Sequence, residues 1–294
     1  MISLCLEKVN YSEKPELVTT IRANNTALNE DDDVCGISGM AVSNNDVFIA
    51  YECSPVVSVY DSHTHKCTAQ MTLKGFVRKV DLKHCASIAG KVYIVNAFTR
   101  EILRIDENRD FTKWSTKNDW GRLSVSAEST IVAACFETSA LREYSPQGTL
   151  LHEIKLCSTI VHPLHAIKLD NGHFVVSHGT FRDDVNRVCM VDDAGRVTKS
   201  FGNRKGYSSQ QLDVATCLAT DENGNILVLD RNNQRVLLLS PKLEFRQELL
   251  TKVNGLRRPV AMHLDWKSNK LYIADNNWEN CRWNDSRVLV FNIK

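Results

Sequence analysis

The sequence contains no run of eighteen apolar residues, and a helix needs roughly that many to cross a bilayer core. A transmembrane helix and a membrane partner are therefore not expected. The opening residues 1–6 are too short and lack the basic flank of a secretory signal. None of the ten cysteines stands in CxxC spacing, and no Cys/His group has zinc-finger spacing. Most thiols lie inside apolar runs such as VAAC (132–135) and RVCMV (187–191), where a reduced thiol acts as a small hydrophobe. The expectation is a chain without disulfides in a reducing cytoplasm. GxSxG, P-loop and dinucleotide fingerprints are missing. Charge of one sign is also scarce. The formal net charge is +1, and the longest same-sign run is 30–33, so no bulk attraction to nucleic acid or membrane is implied. Apolar periodicity of 3.6 residues is absent, which argues against helical repeats.

What is present is a repeated strand pattern. Residues 214–240 read VATCLAT-DENGN-ILVLD-RNNQ-RVLLLS. Short Val/Ile/Leu runs separated by Asn/Asp/Gly turns are the mark of antiparallel hairpins. The second strand of each unit marks the repeat: FIAY (48–51), YIVN (93–96), VAAC (132–135), FVVS (174–177), LVLD (227–230) and YIAD (272–275). The intervals are 45, 39, 42, 53 and 45 residues. A period of 40–50 with about four strands per unit predicts β-propeller blades. Six markers predict an all-β, six-bladed propeller of four-stranded antiparallel blades, spanning residues 1–294 as one domain.

The last unit stops after its third strand, whereas ELVTTI (16–21) is a strand without neighbours. The N-terminal strand is predicted to complete the last blade, 17–21 pairing antiparallel with 288–291 and hiding an open edge. Residues 1–14 are polar and irregular and are expected to be a flexible N-terminus.

Blades five and six carry a more specific pattern: a strand ending in Asp, a polar turn with Asn, then a strand opening Arg-Val. The residues are Asp230, Asn232 and Arg235-Val236, and Asp275, Asn277 and Arg287-Val288. Blade four keeps Asn186-Arg187-Val188 but has Ser177 at the Asp position, and blades one to three carry Tyr51, Asn96 and Cys135 there. This pattern resembles the NHL repeat, over the whole chain as architecture and over the C-terminal half as motif. The resemblance implies a non-catalytic recognition platform that binds RNA or protein, as in the C-terminal NHL modules of tripartite-motif ubiquitin ligases. No RING, B-box or coiled coil is found in this chain, so ligase activity is not expected to reside in it.

With strands a to d counted outward from the axis, the d–a and b–c loops share the face on which most propellers bind ligands. Those loops hold Arg78, Lys79, Arg204, Lys205, Arg257 and Arg258 as candidate cationic anchors, with Tyr207 and Trp283 as stacking residues. Arginine with exposed aromatics suits RNA or an acidic protein segment. The same loops carry 31–33, Glu52, Glu137, Asp183, Asp184, Asp213, Glu279 and Asp285, so the face is nearly balanced in charge. Arg187, Arg235 and Arg287, at the motif position, are read as bridges between blades.

The alternative is a metal-dependent hydrolase of the six-bladed gluconolactonase-like class, which needs several acidic or amide oxygens converging on a cation. Asp230 and Asp275 are the available carboxylates, more simply read as holding their own b–c turns. Amidating lyases of NHL type use histidines around zinc. His165 and His263 have no counterparts in blades one and five, and they are read as packed side chains. Met262 and Trp266 are also read as packing residues. No cofactor and no catalytic residue are expected.

Overall fold

The computed structural model describes residues 11–23, 36–74, 82–88, 90–115, 121–279 and 282–293. Six four-stranded antiparallel sheets form a ring. Blade one is β2 (Ile37–Ser43), β3 (Asp46–Tyr51), β4 (Val56–Asp61) and β5 (Cys67–Thr72). Blade two is β6 (Leu82–Ile88) to β9 (Phe111–Ser115), and blade three is β10 (Leu123–Val125) to β13 (Leu150–Lys155). Blade four is β14 (Pro163–Lys168), β15 (Phe174–His178), β16 (Arg187–Val191) and β17 (Val197–Phe201). Blade five is β18 (Ala215–Thr220), β19 (Ile226–Asp230), β20 (Arg235–Leu239) and β21 (Phe245–Leu250). Blade six joins β22 (Pro259–Asp265), β23 (Lys270–Glu279) and β24 (Arg282–Asn292) to β1 (Glu16–Arg22) from the other end of the chain. The only helical turn among the described residues is a 3-10 turn at Lys252–Asn254.

The closing strand has the expected register. Leu17 faces Phe291, Thr19 faces Val290 and Ile21 faces Val288, with a bulge at Val18. Tyr11 departs from the expectation of a frayed start: it packs against the core between blades five and six, and its carbonyl accepts from Gln247 Nε2 at 2.9 Å. Residues 1–10 lie outside the described part.

Burial explains why these sequences make blades. The apolar residues divide into six clusters, one between each pair of adjacent blades. A blade thus buries both faces of its middle strands, and β19 (ILVLD) and β20 (RVLLL) are continuous apolar runs because both faces are covered. Outer strands are largely exposed and carry Lys and Glu, as in β13 (LLHEIK), which guards the edge against pairing. Inner strands crowd at the axis and use small residues, as in ISGMAVS and ATCLAT.

Small polar side chains stitch the inner strands together. Ser124 Oγ donates to Ala166 O at 2.6 Å, Ser87 Oγ to Val42 O at 2.5 Å, and Ser38 Oγ to Leu82 O. At the closure between blades six and one, Asn276 accepts from Ile37 N–H and donates to Ile37 O, both at 2.9 Å. His165 joins three blades: Nδ1 accepts from Leu218 N–H at 3.0 Å, which leaves Nε2–H to donate to Leu123 O at 3.3 Å.

Candidate functional site

The ring surrounds an axial channel with two different ends. We call the end formed by the d–a and b–c loops the upper face and the end formed by the a–b and c–d loops the lower face.

Below, the inner strands enclose a cavity of about 660 Å³. Met40, Ser87, His165, Cys217, Met262 and His263 form its wall, and Asp170, Asp221 and Trp266 stand at its lower rim. Met262 and Trp266 therefore do more than pack: both line this space, and Trp266 remains 38% exposed with Lys267 Nζ 5.5 Å from its ring centroid. The histidines in the wall do not form a ligand set. Both β14 and β22 begin with proline, but His165 stands two residues and His263 four residues beyond it, so they sit at different heights. Burial holds His165 down to about 3, with Arg122 adding to the effect, and His263 down to about 4. Both are neutral.

The strand-b carboxylates are committed to structure. Asp230 is fully buried. Its Oδ1 accepts from Asp213 N–H at 2.8 Å, and its Oδ2 from Arg235 Nε at 2.8 Å and Asn233 Nδ2 at 2.7 Å. Asp275 Oδ1 accepts from the backbone N–H groups of Arg257 and Arg258 at 2.9 and 2.8 Å, and Oδ2 from Arg287 at 3.0 Å. These aspartates chiefly tie the incoming d–a crossover, rather than only their own b–c turns. Strand b of blade four ends on His178, paired with Arg187 as Asp230 is with Arg235. His178, not Ser177, therefore occupies the aspartate position. Among the described residues no three His, Cys, Asp or Glu side chains come together as a metal site requires.

The motif arginine completes the clamp. Arg235 is almost fully buried. It donates to Tyr207 O at 3.1 Å, Ser208 O at 2.9 Å, Gln211 O at 2.6 Å and Glu248 Oε1 at 2.6 Å. It therefore braces the crossover from blade four to blade five. That crossover also bonds to the b–c loop of blade four: Lys205 N–H donates to Asp184 O at 2.9 Å, and Lys205 Nζ to Phe181 O at 3.3 Å. The result is a braced upper-face lobe that brings Arg204, Lys205 and Tyr207 together with Phe181. Tyr207 is 84% exposed and Phe181 64%, with the Arg182 guanidinium 5.3 Å over the Phe181 ring. Phe98, in the b–c loop of blade two, is 56% exposed on the same face.

The other predicted site residues divide. Lys205 pairs with Asp213 at 3.5 Å and Arg257 with Asp285 at 3.2 Å, so much of their charge is answered locally. Arg258 is half-buried. Arg78 and Lys79 lie outside the described residues, as does the side chain of Trp283. The backbone of Trp283 does not belong to a loop: β23 and β24 run on as a two-stranded ribbon in which Trp283 faces Trp278 in register.

Sequence reasoning missed Phe98, Phe181 and Arg122. The first two follow strand b by a few residues, where a large apolar side chain in a turn is a usable signal. Arg122 precedes the short β10 of the least regular blade. Its Nη1 reaches across the ring from blade three to the carbonyl of Val260 in blade six, at 2.8 Å. Gly121 makes this placement possible: a Cβ there would stand 1.6 Å from Ala134 O, which only glycine avoids.

The sequence matches no established family profile and no curated protein sequence. Solved structures share the architecture at low identity. The PQQ-bound aldose sugar dehydrogenase of Streptomyces coelicolor is 12% identical, with TM-score 0.66 over 97% of this chain and 100% of its own. Virginiamycin B lyase of Staphylococcus aureus is 11% identical, with TM-score 0.59 over 94% and 99%. YCF48 bound to D1 peptide is 12% identical, with TM-score 0.58 over 91% and 81%. At this identity they share the fold with this chain. They include two enzymes and a peptide-bound protein, so the fold does not choose a function.

Proposed function

We propose that this chain is a non-catalytic recognition platform whose upper face binds a protein segment. The observation that carries the reading is where the exposed apolar side chains lie. Of those in loops, Phe98, Val161, Phe181, Tyr207 and Val253 belong to the upper face and Trp266 to the lower rim, while Leu17, Val18, Leu150, Leu151 and Val197 lie on outer strands. Aromatic anchors on a braced scaffold lose little conformational entropy on binding. The NHL-like pattern of blades five and six supports the same reading, because its aspartate and arginine spend their hydrogen bonds on bracing upper-face loops. On this reading the chain is the recognition half of a larger system, as the tripartite-motif resemblance suggests. RNA is the less favoured partner, because Arg257, Lys205 and Arg100 each face a carboxylate at 3.2–3.5 Å.

Selection from a displayed random-peptide library tests the reading. The parent should enrich a shared motif, and the triple variant Phe98→Ala, Phe181→Ala, Tyr207→Ala should lose it, each aromatic contributing on the order of 1 kcal/mol or more. Enrichment that survives in the triple variant would remove this face as the recognition surface. Binding of a random RNA pool that weakens steeply between two salt concentrations would transfer the face to nucleic acid.

A further inference from the structure

His162 ends the crossover from blade three to blade four, immediately before β14, and so stands at the upper end of the ring. Its imidazole is held on two sides. Nδ1 meets the Asp183 carboxylate, 3.2 Å from Oδ1 and 3.0 Å from Oδ2. One face of the ring stacks on Phe136, with centroids 4.7 Å apart and an interplanar angle of 19°. Asp183 is fixed in turn: its Oδ2 accepts from the Thr180 N–H and from the Thr180 hydroxyl, both at 2.7 Å. Buried Asn186 braces this turn by donating to Thr180 O and to Asp183 O, both at 3.3 Å. Burial raises the Asp183 carboxyl, but the bonds from Thr180 and His162 outweigh it and hold the group below the usual carboxylate range. An ionised Asp183 accepts from Nδ1–H, so a neutral imidazole presents a bare lone pair at Nε2. Among the described residues Nε2 makes no hydrogen bond, and the side chain is 45% exposed. The backbone is strained as well. His162 has φ 50°, in the left-handed region that glycine or asparagine enters with less strain. It also precedes Pro163, where an extended residue is the rule.

Residues held in such conformations collect at ligand-binding positions. We propose that His162 and its neighbours form a site for a tyrosine side chain of the bound segment, with Nε2 accepting from the phenolic O–H. The proposal rests on the upper face being a protein-binding surface and names one residue type that this face selects. Two exposed apolar side chains flank the acceptor. Val161 is adjacent in the chain, and Phe181 lies in the turn from Thr180 to Asp183, closed by the bond from Asp183 N–H to Thr180 O at 3.1 Å. Gly179 N–H donates to Val161 O at 3.2 Å, so crossover and turn form one patch. A tyrosine matches it, because it carries a broad apolar ring and one donor at the tip. Serine or threonine would reach the acceptor and leave the apolar patch in water. Phenylalanine would cover the patch and leave Nε2 without a partner. A carboxylate brings only acceptors, which would face a lone pair and the Asp183 charge behind it.

Two resin-bound nonapeptide libraries, random except for a fixed central Tyr or a fixed central Phe, test this at pH 8, where an ordinary imidazole is neutral. The parent should retain the Tyr library about fivefold better, the difference made by one hydrogen bond between neutral groups. His162→Phe keeps a ring against Phe136 and removes the acceptor, and it should retain the two libraries equally. His162→Asn, which enters the left-handed region readily, should lose the preference too. Equal retention by the parent would overturn the proposal and leave the protein-binding reading standing, as would a preference that survives in both variants. Retention of neither library by the parent would overturn both. Loss of both libraries in both variants would make His162 a residue that shapes the surface, and would remove it as the acceptor. A second readout does not depend on how the variants fold. In the parent carrying isotope-labelled histidine, a peptide enriched from the Tyr library should move the His162 Nε2 resonance, and the same peptide with Phe in place of Tyr should not. Equal movement with both peptides, or none with either, would overturn the proposal.

Discussion

His165, His178 and His263 share one physical situation. Burial holds their imidazoles at about 3, 4 and 4, below the ordinary 6.5, because charging them would strand a cation in apolar surroundings. Folded values below the unfolded value mean that the stability they contribute is complete above pH 6.5 and is lost as pH falls from there toward 4. Asp230 works against them. Burial pushes it up to about 6, so the folded protein takes a proton there across much of the same window. Near pH 5 the four groups together should give a net uptake of about two protons on unfolding. Urea midpoints measured from pH 7.5 to 4.5 should fall with acid on that slope, and a midpoint flat from 6.5 to 4.5 would contradict it. A second test at this scale concerns Asp230 itself. Asp230→Ala leaves Arg235, almost fully buried, without its buried carboxylate and with only the partly exposed Glu248 as a charged partner, and should cost about 3–5 kcal/mol in chemical denaturation. A loss below about 1 kcal/mol, the range of exposed pairs, would show that the pair is not structural. The cysteines belong to this scale too. The seven described ones are free, and burial raises the Cys189 thiol to about 12, so it resists oxidation.

At the scale of the strand, the closing element decides how the ring ends. β1 buries chiefly Ile21 and presents the rest of its length to solvent, yet it satisfies the edge of β24 along six register pairs. Deleting residues 1–22 would expose that edge, which templates further pairing. The truncated chain is expected to form concentration-dependent aggregates in light scattering and to melt lower than the parent. A monodisperse truncated protein with unchanged melting would contradict the closure. This element was legible in the sequence because a strand lacked a blade and a blade lacked a strand. The ladders were legible because Asn-Gly and Asp-rich turns separate apolar runs of the right length. The upper end of the channel was not. Arg122 lies before a three-residue strand, and its reach to Val260 depends on ring closure and on the tight contact at Gly121, neither of which leaves a local pattern. Phe98 and Phe181 leave only the local signal of a large apolar side chain just after strand b, and the ring is what places their loops in solvent. Met262 and Trp266 read as core because nothing local distinguishes a wall of a cavity from a packed interface.

For the molecule as a whole, two ends of one channel compete as the working site. The lower cavity is roomy, but its wall holds two neutral histidines, of which His165 spends both ring nitrogens on backbone partners. The upper face is braced by buried Asp–Arg clamps and displays exposed aromatics. On the proposed reading, the lower end serves cohesion and the upper face recognition. Hydrogen exchange of the parent, free and saturated with a peptide selected from the displayed library, distinguishes the two ends most directly. The account predicts slowed exchange in residues 97–100, 179–186 and 203–211, with the lower loops at 126–130, 170–173 and 221–225 unchanged. Slowing confined to those lower loops would place the ligand in the cavity and contradict the central claim.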